Sequence, residues 1–97
     1  MKFDSFDFES FQWDTGNSRK SLDKHGVECE EAEEIFFNSP LYIMYDEKHA
    51  QKEPRYKAFG LTSRQRPLTV SFTVRGKLIR IISARSMNQR ERKAYEI

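Results

Sequence analysis

The sequence predicts an α+β fold, with N-terminal helices packed on a small antiparallel β-sheet and a helix closing the C-terminus. Three observations predict it. Two helical patterns fill the chain before Pro40, four short β-branched or aromatic runs follow between polar turns, and the chain ends in a third, capped helical pattern. The 97 residues leave room for one domain, 1–97, and exclude two lobes closing on a substrate.

The first helix is expected over Thr15 to Lys24. Asp14 is its N-cap, Lys20 and Lys24 sit toward its C-terminal end, and Gly26 is placed to take the left-handed conformation that ends it, while Gly16 weakens it. A second helix follows from Glu28 to Phe37. Glu28, Glu30, Glu31, Glu33 and Glu34 load its N-terminal turns with the charge the helix dipole favours, and Ala32, Ile35 and Phe36 form an apolar stripe. Asn38-Ser39-Pro40 stops it, because the residue before proline avoids helical dihedrals.

Strands are then expected at Leu41–Tyr45, Tyr56–Leu61, Leu68–Val74 and Leu78–Ala84. If Arg75-Gly76 are the two turn residues of the last hairpin, Val74 faces Lys77, and Phe72, Val70 and Leu68 pair with Ile79, Ile81 and Ser83. That face is the core. The opposite face carries Arg80 among the hydroxyls of Thr69, Ser71 and Thr73, a place where a phosphate could be gripped; a one-residue change in turn length would reverse the two faces. Asn88, with Glu91 three residues later, announces the last helix over Gln89–Tyr95 as a capping box.

Composition excludes several function classes. Hydrophobic residues are 37%, charged residues 33% and mean hydropathy is -0.82, which indicates a soluble chain that does not enter a membrane. The aromatics of Phe3-Asp4-Ser5-Phe6-Asp7-Phe8-Glu9 are interrupted by carboxylates, unlike a secretory signal, so a cytoplasmic location is expected. A single cysteine, Cys29, forms no internal disulfide and reads as an inert thiol. His25 and His49 stand too far apart for zinc-ligand spacing, and neither a metal nor another cofactor is expected. The charge is divided: residues 1–54 hold 6 Lys+Arg against 13 Asp+Glu, and residues 55–97 hold 11 against 2. A basic half in which eight of the cations are arginine suits polyphosphate, whose oxygens the planar guanidinium fork matches. Neutralisation of the acidic half within one compact domain is the plainer account.

Phe11-Gln12-Trp13-Asp14, Lys24-His25-Gly26-Val27, Glu30-Glu31-Ala32, Phe36 with Ser39-Pro40, Ile79-Arg80-Ile81-Ile82-Ser83-Ala84-Arg85, Glu91-Arg92 and Tyr95 stand in this order. Together they resemble the BrnT family of bacterial toxins, from Phe11 to Glu96. The resemblance implies a RelE-like fold and a ribonuclease toxin of a type II toxin-antitoxin system. Such a toxin works without metal, is neutralised by a BrnA-type antitoxin, and meets operator DNA only through the antitoxin complex. Residues 1–10 then read as an extension. Two positions depart from the family pattern: Asn17 replaces the usual Lys, and Ser21 the usual Asn. With no obvious general base, these departures sustain a rival reading as a catalytically inactive module that binds nucleic acid or protein.

Metal-free RNA cleavage uses the RNA's own 2′-hydroxyl as nucleophile, so the protein must move protons and stabilise charge on phosphoryl oxygens. Arg80 and Arg85 rank first as catalytic residues, since one strand and one family motif hold both. Their structural alternative is pairing with the glutamate-rich second helix, and strand alternation puts them on opposite faces. His25, in a family motif, is the candidate proton carrier, or else caps helix carbonyls beside Gly26; His49, in the polar Asp46–Pro54 loop, ranks below it. Arg55 and Arg66 are expected to bind RNA, or to be ordinary solvated edge charges. Trp13 could stack on a base or anchor the core, and Tyr95 could align a phosphate or pack the last helix on the sheet.

Overall fold

The computed structural model describes residues 10–13, 22 and 24–96. Five strands, β1 (Ser10–Gln12), β2 (Leu41–Tyr45), β3 (Tyr56–Leu61), β4 (Pro67–Arg75) and β5 (Leu78–Ser86), form one sheet in the order β1-β5-β4-β3-β2. β2 to β5 are antiparallel neighbours, whereas β1 runs parallel to β5 with Phe11 beside Ile79 and Gln12 beside Arg80. The expected antiparallel sheet is therefore a mixed one. Ser10, assigned from sequence to the extension, is the first residue of β1.

The helices are α1 (Cys29–Glu34), which tightens into a 3-10 turn over Ile35–Phe37, and α2 (Gln89–Ala94). Among the described residues they are not an N-terminal pair, because α1 precedes β2 and α2 follows β5. Most of the expected first helix, with Asp14, Asn17 and Ser21, lies outside the described residues. Its end is described: Leu22, Lys24 and His25 are helical, the Gly26 N–H donates to the Leu22 carbonyl at 2.9 Å, and Gly26 takes φ +65, which glycine adopts without steric cost. The capping box of α2 forms as its sequence predicts, with the Glu91 N–H on Asn88 Oδ1 at 2.8 Å and the Asn88 N–H on Glu91 Oε1 at 3.0 Å.

One face of the sheet carries the core. Ile43, Ala58, Leu68, Val70, Phe72, Ile79, Ile81 and Ala84 pack there against Val27, Ala32, Ile35 and Phe36, and the rings of Phe36 and Phe72 meet edge to face at 5.3 Å. Gly60 lets the 3-10 turn approach β3, since a Cβ there would stand 3.1 Å from the Ile35 Cβ.

The β4–β5 hairpin departs from the expected register. Its turn residues are Gly76-Lys77, with Gly76 at φ +61, so Arg75 faces Leu78, Val74 faces Ile79 and Phe72 faces Ile81. From the turn to Phe72, β5 has slid by two residues relative to the expected pairing, and an even slip keeps those side chains on their own faces. Between Ser71 and Phe72 the register shifts by one more, because Ser71 pairs with Ser83 and Ile82 is the extra residue of a β-bulge. Beyond the bulge the slip is three, so Ser83, expected on the core face opposite Leu68, turns outward and Ala84 takes the core position.

Candidate functional site

The bulge decides what the outer face of the sheet presents. Arg80 pairs with Thr73 and Arg85 with Thr69, and since Thr69 and Thr73 are four residues apart on regular β4, both arginines point to the same side. Strict alternation would have separated them; the extra residue at Ile82 restores the match.

Three transverse rows cross this face. At one end, Tyr42, Phe59, Thr69 and Arg85 align across β2 to β5; Met44, Lys57, Ser71 and Ser83 form the middle row; and Thr73, Arg80 and Gln12 run across β4, β5 and β1 at the other end. The first row lies under α2. Tyr95 stacks on Phe59 with ring centroids 4.5 Å apart and meets Tyr42 at 5.0 Å, while the Thr69 hydroxyl donates to Glu91 Oε1 at 3.0 Å. Arg85 forks onto the Glu91 carboxylate at 2.7 and 2.9 Å. That bond pushes the Arg85 guanidinium further up against the opposing effect of burial. Burial would raise the Glu91 carboxyl, but hydrogen bonds from Arg85, the Asn88 N–H and Thr69 hold it at about 2.

The other two rows bring a different chemistry together. Lys57 and Arg80, both partly exposed, flank the hydroxyls of Ser71 and Ser83. Arg55 directly precedes β3 and is tied to this end by its neighbour, since the Thr73 hydroxyl donates to the Pro54 carbonyl. Its Nε is buried without a hydrogen-bond partner among the described residues, as is the Oε1 of Gln12. Such unmet polar atoms beside a basic strip are where a polar ligand would complete the hydrogen bonding.

The remaining candidates go elsewhere. Arg66 spans the core side of the sheet's edge, donating to Glu31 at 3.2 Å, to the Gly26 and His25 carbonyls at 3.0 and 3.4 Å and to Ser86 Oγ at 3.0 Å. His25 thus shares the Arg66 cluster, opposite the end that carries Arg80. Trp13 packs on the core and donates its indole N–H to Glu33 at 2.8 Å. Arg66, Arg75 and Arg85 each meet a carboxylate, Glu31, Glu53 and Glu91 respectively. The four groups Arg80, Arg85, Arg55 and His25 accordingly do not share one pocket.

Sequence reasoning placed Ser71 beside Arg80 but passed over Lys57, Ser83 and Gln12, because only the register aligns them with it. It also ranked His49 last, although His49 Nδ1 stands 2.9 Å from Asp46 Oδ2; the signal in sequence was Asp46 three residues before it, a spacing that one 3-10 turn closes.

Comparison with known proteins gives the same fold. The family model described as "Ribonuclease toxin, BrnT, of type II toxin-antitoxin system" matches residues 13–91. The crystal structure of the Brucella abortus ribonuclease toxin, BrnT, superimposes with a TM-score of 0.66 at 22% identity, covering 82% of this chain and 97% of that one. No curated protein matches the chain. No helix among the described residues is long and apolar enough to cross a membrane.

Proposed function

The chain belongs to the BrnT family of type II toxin-antitoxin ribonuclease toxins, and from that premise we propose that it is an endoribonuclease that cuts RNA without a metal and is neutralised by a BrnA-type antitoxin. Cleavage in the cytoplasm would stop translation and growth. The observation that carries the reading is the outer face of the sheet, where Arg80, Lys57 and the Ser71 and Ser83 hydroxyls form a basic and hydrogen-bonding strip beside Arg55. Guanidinium and ammonium groups fixed on strands suit the RNA backbone, because their geometry is set before substrate arrives and they stabilise charge that develops on the phosphoryl oxygens.

We assign phosphate contacts to Arg80 and Arg55, with Lys57 supporting the flanking backbone. Arg85 holds α2 in place through Glu91, and Tyr95 forms one wall of the strip. An antitoxin with acidic and apolar side chains would neutralise the toxin by covering this face, and operator DNA would be met only through that complex. The RelE-like label fits a small sheet that offers one face to RNA and the other to its core.

The test is cleavage of a single-stranded RNA by the purified chain in the presence of a chelator, together with growth arrest on expression. Arg80→Ala is expected to reduce cleavage about 100-fold or more, the scale on which loss of one charge-stabilising donor acts. RNA that is bound but never cut would instead favour the inactive-module reading, which Asn17 and Ser21 support.

A further inference from the structure

We propose that Asp46 and His49 form the proton-transferring pair of RNA cleavage, and that the hollow lined by His49, Gln51, Lys52, Glu53 and Arg55 seats the scissile phosphodiester. This rests on the ribonuclease reading and adds to it the group that activates the nucleophile.

The loop joining β2 to β3 is built to hold the pair still. The Asp46 N–H donates to the Arg55 carbonyl at 2.7 Å and closes the loop's base; the His49 N–H then bonds the Asp46 carbonyl at 3.3 Å within the 3-10 turn Glu47–His49. Asp46 keeps only 13% of its side chain exposed, whereas the His49 ring is 57% exposed. A sheltered carboxylate thus holds Nδ1 of an accessible imidazole. With Nδ1–H donated to Asp46, Nε2 is the nitrogen that can take a proton from substrate.

The hollow beside the ring encloses about 220 Å3. Lys52 and Arg55 bring two positive charges to its wall, and Glu53, the carboxylate among its lining residues, is drawn to Arg75 at 3.3 and 3.4 Å. Arg55 adds a buried Nε with no partner among the described residues. Thr73 joins the loop to the outer face of the sheet, because its hydroxyl bonds Pro54 while Arg80 stands opposite it on β5. An RNA strand lying along that face therefore passes the loop that carries the dyad.

Arg66 donates to the His25 carbonyl at the far end of the sheet, away from this loop. The step proceeds with His49 Nε2 accepting the 2′-hydroxyl proton as the 2′-oxygen bonds phosphorus. The P–O5′ bond breaks, and the 5′-oxygen takes a proton from water. Arg55 and Lys52 hold the non-bridging oxygens, a 2′,3′-cyclic phosphate and a 5′-hydroxyl are released, and the imidazolium returns its proton to solvent.

The experiment follows a short fluorescent RNA, and the same RNA with 2′-methoxy groups, through the full-length chain and three variants. His49→Ala is expected to lower kcat 100-fold or more with KM within about threefold, the scale of general acid–base catalysis, and added imidazole is expected to restore part of it. Asp46→Asn, which removes a positioning residue, is expected to lower kcat about tenfold, and Arg55→Gln to raise KM as well as lower kcat. The 2′-methoxy RNA is expected to stay intact. If the unaltered chain cuts RNA and His49→Ala cuts it equally fast, the dyad is overturned while the ribonuclease reading stands; if the unaltered chain cuts nothing, both are overturned.

Discussion

Arg80 and Arg85 sit in one strand, face the same way and pair with equivalent threonines, yet their surroundings differ. Around Arg85, α2 supplies a carboxylate, and Tyr95 at its end stacks on Phe59 of β3, so the guanidinium is spent on holding the helix. Around Arg80 lie Thr73 and Gln12, with Lys57 and two serine hydroxyls in the next row. A guanidinium bonded bidentately to a fixed carboxylate must break that pair before meeting phosphate, and breaking it costs more as its surroundings dry. Shared face and shared residue type do not make shared surroundings; the elements packed over each row decide what its arginine meets.

Giving the bulge a partner should have the largest effect. An alanine inserted between Ser71 and Phe72 would pair with Ile82 and restore strict alternation along both strands, turning Leu68, Val70 and Ala84 outward and Arg85 toward the core. Burying that guanidinium without Glu91 leaves an uncompensated charge, a loss of about 3–5 kcal/mol, comparable to a small domain's whole stability. The chain with the insertion is expected to lack a cooperative thermal transition, whereas deletion of Ile82, which leaves Arg80 and Arg85 four residues apart on one face, should retain it.

The row under α2 is set apart from the other two by pH. Glu91 is held at about 2 against an ordinary 4.5, so its folded value lies below its unfolded one. Its stabilising contribution is therefore complete above the unfolded value and is lost as pH falls from there toward about 2. Near-ultraviolet dichroism of the Tyr95, Tyr42 and Phe59 stack should fade through that window. Glu91→Gln should abolish this dependence and cost about 1–3 kcal/mol at neutral pH, because the Arg85 fork and Thr69 hydroxyl lose a charged partner. RNA binding at the Arg80 end should change much less than stability.

How much of this was legible depends on the range of the forces involved. β2 and β3 were readable to the residue, because β-branched and aromatic runs and their polar punctuation are local. The α2 cap was readable for the same reason: Asn88 and Glu91 carry the whole signal. β1 was not, since three residues acquire strand character only from Ile79 and its neighbours far along the chain. The bulge at Ile82 was equally hidden, because a sequence does not mark where a ladder gains a residue. At the site, the basic half was visible as charge but its division was not. Glu31, Glu53 and Glu91 come from three separate segments to take Arg66, Arg75 and Arg85, and only the fold brings them there.

Arg66 gives the smallest effect and sharpens the comparison at its other margin. Its guanidinium reaches Glu31, Ser86 and the carbonyls of His25 and Gly26, so it ties the end of the helical residues before Gly26 to α1 and the end of β5. Lysine keeps the charge but offers a single nitrogen where the fork now serves several acceptors. Arg66→Lys is expected to cost about 1 kcal/mol in urea unfolding, the net worth of a hydrogen bond or two at a partly exposed site. If Arg66 holds structure and not substrate, Arg66→Gln, which removes the charge, leaves the salt dependence of RNA affinity at its original slope. A slope reduced by about one phosphate contact would instead place Arg66 among the residues that grip the backbone, and the RNA path would then extend around the sheet's edge to His25.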